Sequence, residues 1–324
     1  MDQTQSPNLK GYWVALISAA ILSTTAVFIR YLTVNYLIQP LVLAFWRNVI
    51  VTLTLFIFFR ITKPTLLKIQ KQNLLFYLIF GLVLTVFNAL WTFSVALNGA
   101  AVSTVLVYTS AAFTVLLGWW ILKESISWAK IAAVIICILG AGLVAEALRV
   151  ELWQTRITGV LVGVMAGLSY AIYSLFGRAA AQRGMNTWTS LFYTFLFASF
   201  YLFFGNIALA GWLPGAANTI PEFFILGKSL AGWGTLIFLA AGPTLMGFGF
   251  YNKSLALLPS SIVNLIATSE PIFTSIIAFI FLGESMTISQ YVGGFLIMGG
   301  VLIIRLYEGK KLKETQKIPQ SQII

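Results

Sequence analysis

Histidine is absent from this 324-residue chain, cysteine occurs once, at Cys137, and Asp and Glu together number nine. Without histidine there is no Ser-His or Cys-His nucleophile pair. Zinc and iron sites draw on clusters of Cys and His, so no metal and no cofactor is expected. Charge is scarce too: 9% of residues carry it, against roughly 25% in a soluble domain. So few charges cannot cover a water-facing surface, and a soluble fold is excluded. What is present is apolar, 59% of the chain, and it must face lipid or itself. Cys137 lies in the apolar run 131–139 and reads as packing, since a free thiol behaves as a small hydrophobe.

A helix rising 1.5 Å per residue needs about 20 apolar residues to cross a hydrocarbon core of roughly 30 Å. Ten such runs occur, at 11–30, 40–59, 74–96, 101–122, 128–145, 159–177, 187–210, 232–251, 261–282 and 288–305. The chain therefore reads as an all-α membrane protein of ten transmembrane helices. A short segment, 1–10, precedes them and a basic tail, 306–324, follows; of the longer connections, only 211–231 has room for a small element of its own. The first run is long enough to span and no small-residue cleavage site follows it, so no cleavable signal is expected. With the N-terminus inside, the inside segments hold fifteen Lys and Arg and the outside segments four. That bias puts both termini in the cytoplasm. It also assigns the net charge of +11 to an anionic leaflet rather than to nucleic acid. With no transit peptide, the expected location is the cytoplasmic (inner) membrane of a prokaryote.

The two halves resemble each other. At an offset of 160, Ser94, Ala96 and Leu97 fall on Ser254, Ala256 and Leu257, and Phe113-Thr114 falls on Phe273-Thr274. Leu122 and Glu124-Ser125 fall on Leu282 and Glu284-Ser285, and Gly140 on Gly300. Spans one and six match at an offset of 148, with Gly11, Val14, Phe28 and Arg30 on Gly159, Val162, Phe176 and Arg178. The expected organisation is a five-helix repeat over 11–145, a connecting loop at 146–158 and a second five-helix repeat over 159–305. Five spans per half make the repeats inverted, a transporter architecture whose site lies near midplane where the halves meet.

These features resemble the EamA-type branch of the drug/metabolite transporter superfamily. The residues that carry the likeness are Ala44-Phe-Trp-Arg47 in span two, Ser269-Glu270-Pro271-x-Phe273 in span nine and the Leu282-Gly-Glu-Ser285 exit. The likeness covers about 11–306. It implies secondary active transport, often export, of amino acids, other small metabolites or drugs. It also implies that spans three, four, eight and nine ring a central cavity, one, two, six and seven gate it, and five and ten are peripheral. The first half departs from the pattern, with Ser110-Ala111 where the second has Glu270-Pro271, so Ser110 takes over a cavity position and no further role.

Glu270 is a carboxylate about nine residues into span nine, roughly 14 Å deep and near midplane. A charge there costs several kcal/mol, and such residues face a cavity or a partner. Glu270 is expected to bind a substrate amine, to couple a proton (H+), or to do both in alternation; the competing reading is a structural ion pair or a helix-breaking Glu-Pro step. Arg47 lies within span two and either binds a substrate carboxylate, pairs with Glu270, or snorkels outward. Pro243 and Pro271 fall inside spans and each removes a backbone hydrogen bond. Together with Gly242 and Gly247 they are the expected hinge, and both breaks fall in the second half. Asn88 and Trp91 on span three, Tyr108 and Ser110 (with Thr109) on four, Tyr251 on eight, and Asn264, Thr268 and Ser269 on nine complete the candidates for substrate contact. Tyr170 and Tyr173 on span six rank below them. The Gly159/Gly163/Gly167 stripe reads as tight packing within the chain.

The leading expectation is a transporter of small organic solutes, amino acids first, moving them outward by alternating access. Multidrug efflux, uptake of metabolites, and nucleotide-type or lipid-linked sugars are the alternatives, and a polyanion would want more intramembrane cations than Arg47. A membrane-embedded enzyme is remote, because one deep carboxylate offers no acid/base pair. Partners are the bilayer and the solute, and the protein is a monomer or a homodimer, for which Gly293, Gly294, Gly299 and Gly300 offer a surface.

Overall fold

A backbone crossing lipid must satisfy its own N–H and C=O groups, which leaves the helix as the local solution for these apolar runs. The computed structural model describes residues 9–122, 127–144, 153–210, 212, 215–257, 266–267 and 269–317, and they are helical almost throughout. In chain order the helices are α1 (Leu9–Asn35), α2 (Pro40–Thr62), α3 (Leu74–Asn98), α4 (Ala100–Val107), α5 (Ser110–Leu122), α6 (Trp128–Val144) and α7 (Trp153–Gln182). They continue with α8 (Thr187–Ala208), α9 (Leu230–Leu239), a π turn (Ala240–Thr244), α10 (Leu245–Leu257), α11 (Glu270–Leu282) and α12 (Ile288–Lys317). Among the described residues, six helical segments are long and apolar enough to cross a membrane, and four shorter apolar helices accompany them. These ten segments lie where the ten apolar runs do.

The polarity is inverted relative to a soluble domain. Phe56, Ile57, Phe58, Phe204, Phe279, Ile280 and Phe281 are exposed, while Arg47, Asn48, Asn88, Thr92, Ser94, Ser103 and Thr104 are buried. Lipid accepts the apolar exterior, and the interior hydroxyls and amides find one another.

Close approach between helices depends on glycine. Gly159, Gly163 and Gly167 bring α7 against Asn98, Ser94, Leu106 and Thr109, where an added Cβ would meet heavy atoms at 2.2–2.9 Å. The stripe is thus used within the chain, as expected. Gly293 packs on Gly140, and Gly300 on Cys137 and Ala133, joining α12 to α6. Those two glycines are occupied internally and are not free for a partner copy. Elsewhere α1 packs on α9, α10 and α11, α7 packs on α3, α4 and α5, and α2 packs on α8. Span one therefore sits on spans eight and nine, while span six sits on three and four.

Two expectations about the breaks are corrected. Pro271 is the second residue of α11, in the first turn, where its missing N–H has no helical acceptor to lose. The interruption lies just before it, where Ile272 and Phe273 both donate to the Ser269 carbonyl. Breaks are also not confined to the second half. Span four divides between α4 and α5 at Tyr108-Thr109, where Tyr108 N–H and Thr109 N–H donate to Val105 and Leu106 three residues back. Thr109 Oγ1 also bonds the Leu106 carbonyl at 2.7 Å, a hydroxyl competing with the helix for its own backbone. No proline is needed. α5 covers Ser110–Leu122 and α11 covers Glu270–Leu282, so both helices begin and end at an offset of 160.

Candidate functional site

The two interrupted helices face each other, since α4 packs on α11. From the α4 break, the Tyr108 hydroxyl reaches the Ala267 carbonyl and Glu270 Oε2, the latter at 3.0 Å. Glu270 is the first residue of α11, so its carboxylate lies at a helix start, where the backbone dipole favours negative charge. Tyr170 of α7 and Tyr251 of α10 lie close enough to the same carboxylate to feel its charge. Ser110 is buried at the start of α5, and the Ser269 hydroxyl bonds the Ile266 carbonyl at 2.7 Å, closing the turn before α11.

A second polar group lies on α2 and α3. Arg47 is 2% exposed, so it does not snorkel outward. Its Nη2 donates to Asn88 Oδ1 at 2.7 Å, Asn88 Nδ2 donates to Asn48 Oδ1 at 3.0 Å, and Asn48 Nδ2 donates to the Ala44 carbonyl at 2.7 Å. Arg47 Nε is buried with no hydrogen-bond partner. Among the described residues the one ion pair is Arg30–Glu284, so Arg47 and Glu270 do not pair. A buried guanidinium answered only by an amide keeps capacity for an anion, and its planar fork matches a carboxylate. Trp91, three residues along α3 from Asn88, is buried.

Aromatic rings join the two groups. Phe87, next to Asn88 on α3, lies 5.1 Å from Tyr170 and 6.1 Å from Tyr173 between ring centroids. Phe80 lies 5.0 Å from Tyr173 and 5.7 Å from Phe176. The arrangement thus has a carboxylate with tyrosine hydroxyls, an aromatic wall, and a guanidinium with two amides. Of the expected residues, Glu270, Tyr108 and Tyr251 come together, and Arg47 and Asn88 come together separately. Asn264 and Thr268 lie outside the described residues. Tyr170 was ranked too low and Asn48 was missed. Tyr170 stands three residues from Gly167, on the face that packs on α4 and α5, and Asn48 follows Arg47 in an otherwise apolar span; both signals were legible. Gly247 serves close packing, accepting Ser18 Oγ at its carbonyl (2.9 Å) and Leu22 against its Cα. Pro243 is accommodated by the π turn, with Gly242 beside it in looser surroundings. No cluster of three or more His, Cys, Asp or Glu suited to a metal occurs among the described residues.

The profile of the EamA-like transporter family matches residues 9–145 and again 157–306. The chain belongs to the EamA-like transporter family. Relatives agree. An uncharacterized transporter of Clostridium kluyveri is 23% identical over 95% of this chain and 97% of its own length. The uncharacterized transporter YyaM of Bacillus subtilis is 22% identical over 90% of this chain and 92% of its own. An uncharacterized transporter of Archaeoglobus fulgidus is 26% identical, with the match spanning 51% of this chain and about half (54%) of that relative. A crystal structure superposes with a TM-score of 0.59 at 15% identity, covering 93% of this chain and 98% of that one, a likeness of fold. The EamA-like protein is thus a multi-pass helical membrane protein of a transporter family.

Proposed function

We propose that this chain is a secondary transporter that moves small organic solutes, amino acids first among them, outward across the cytoplasmic membrane of a prokaryote by alternating access. The observation that carries the reading is that opposite charges stand apart, each with its own polar partners, with an aromatic wall between them. Glu270 with Tyr108, Tyr170 and Tyr251 suits an ammonium, and Arg47 with Asn88 and Asn48 suits a carboxylate. A zwitterion with an apolar or aromatic side chain satisfies both ends. Glu270 also exchanges the coupling proton, releasing it when the amine binds. The inverted five-plus-five arrangement draws support from the reciprocal packing of spans one and six on eight–nine and three–four, and the placing of both termini inside from the bias of Lys and Arg between the connections. Pro243 and the breaks before Ser110 and Glu270 are the hinges on which the halves rock.

The test is counterflow of radiolabelled amino acids in proteoliposomes. Wild type exchanges neutral amino acids, and Glu270→Gln loses at least about tenfold in rate, the loss of about 1.4 kcal/mol that one charged contact supplies. Equal flux in both proteins would reduce Glu270 to a structural role. No flux for any amino acid would retire the substrate class.

A further inference from the structure

Buried threonines in a span can return their hydroxyl proton to a carbonyl one turn back. Thr52, Thr92, Thr104 and Thr194 do so at 2.6–2.9 Å. Thr25 of α1 and Thr244 of the π turn do not: they are 7% and 3% exposed, and neither hydroxyl has a partner. The carbonyl one turn behind Thr25, that of Ile21, takes the Thr24 hydroxyl instead. The carbonyl one turn behind Thr244, that of Ala240, takes the Leu245 N–H.

The two hydroxyls share one place. α1 runs antiparallel to the π turn and its flanking helices: Ser18 Oγ donates to the Gly247 carbonyl at 2.9 Å, Leu22 fills the space a Cβ at Gly247 would take, and the Phe28 and Phe238 rings lie 5.3 Å apart. Thr25 is one turn beyond Leu22 and Thr244 one turn before Gly247, so face and register set them opposite each other. The π turn also meets α2, whose Arg47 carries a third buried group without a partner, Nε. Arg47 donates to Asn88 of α3, and α3 is registered on α1 by Arg30 Nη1 at the Ala96 carbonyl. Spans one and three run the same way, and eight residues back along each lie Asn88 and Leu22. Arg47 and Thr25 are thus level to within about one or two helical turns.

Buried polar groups without partners are rare, and all three of these can donate. We propose that Thr25, Thr244 and Arg47 Nε form the seat of the substrate carboxylate, so that the two threonines set the preference for acids over neutral analogues. The guanidinium bars a cation, and a carboxylate accepts charge-assisted bonds from all three donors. An analogue without the carboxylate leaves them unanswered. Pro243, which has no N–H, is accommodated by the π turn, and the turn keeps the Thr244 hydroxyl off its own helix. One threonine belongs to each half of the chain, so a bound carboxylate bridges the halves. The seat rests on the zwitterion reading above.

The experiment needs no transport. Sodium benzoate is titrated against the purified protein in detergent and the melting temperature is read, with sodium chloride at equal concentration as the reference. Benzoate raises the melting temperature of wild type beyond chloride. Thr25→Val and Thr244→Val each weaken that titration about tenfold, while Thr25→Ser and Thr244→Ser keep it. Without benzoate the valine variants melt no lower than wild type, because valine keeps the shape of threonine and removes an unpartnered hydroxyl. No benzoate effect beyond chloride in wild type, an unchanged titration in the valine variants, or a lower ligand-free melting temperature in either would overturn the seat. Benzoate binding that needs both hydroxyls, in a protein that exchanges no amino acid, would uphold the seat and retire the zwitterion. Amino-acid exchange whose KM the valine variants leave unchanged would retire the seat alone.

Discussion

Arg47 shows how a buried charge is kept in this fold. Burying a guanidinium costs several kcal/mol, and here one amide oxygen answers Nη2 while Nε goes without a partner. Asn88→Leu should therefore lower thermal stability by about 1–3 kcal/mol in detergent melts, because the charge loses its acceptor. Arg47→Gln should lose less stability but raise the KM of transport, since the retained amide still bonds Asn88 while the anion contact is gone. At this scale the sequence was partly legible. Isolated polar residues in apolar spans marked Arg47, Asn88 and Glu270, because lipid makes each costly unless partnered. Their partners were not legible, because a pair such as Tyr108 and Glu270 depends on how two distant helices meet. The Arg47–Glu270 pairing fails for the same reason: depth along two spans does not say which faces are turned together.

Among the elements, the shape of each helix is set by a few small or interrupting residues. Gly167 faces the α4–α5 break, where an added Cβ would meet Thr109 Oγ1 at 2.5 Å. Gly167→Ala should destabilise by about 1–3 kcal/mol through overpacking. Gly177→Ala, with nothing within 4 Å, should be neutral or slightly stabilising through helix propensity; parallel melts compare the two. The break in span four carried no proline, so its hydroxyl-driven turn escaped the breaker signals that marked span eight. Between α8 and α9 the connection is pinned by Glu222, which accepts Gln39 Nε2 and Asn218 N–H, both at 2.8 Å, and by Trp46 Nε1 on the Phe223 carbonyl at 2.6 Å. The Asn218 N–H, followed by Gln39, holds the Glu222 carboxyl below its ordinary pKa. Its contribution is therefore complete above the usual carboxylate range and is lost as pH falls through the lowered value. Hydrogen exchange over 215–225 should stay slow from neutral pH down to about pH 5 and quicken, relative to Glu222→Gln, only in stronger acid.

For the whole molecule, composition settled the class and periodicity settled the number of apolar runs, because a bilayer imposes one span length on every crossing. The bounds of α5 and α11 coincide at the offset read from Phe113-Thr114 and Glu124-Ser125. The central claim is that a single site recognises both ends of a zwitterion. It is tested most directly by competition in proteoliposome counterflow, using an amino acid that wild type exchanges, its decarboxylated amine and its deaminated acid. The account predicts that the intact amino acid competes best against wild type. Glu270→Gln should blunt inhibition by the amine, and Arg47→Gln should blunt inhibition by the acid. If both variants lose the two analogues equally, or neither variant discriminates between them, the two-ended site is contradicted.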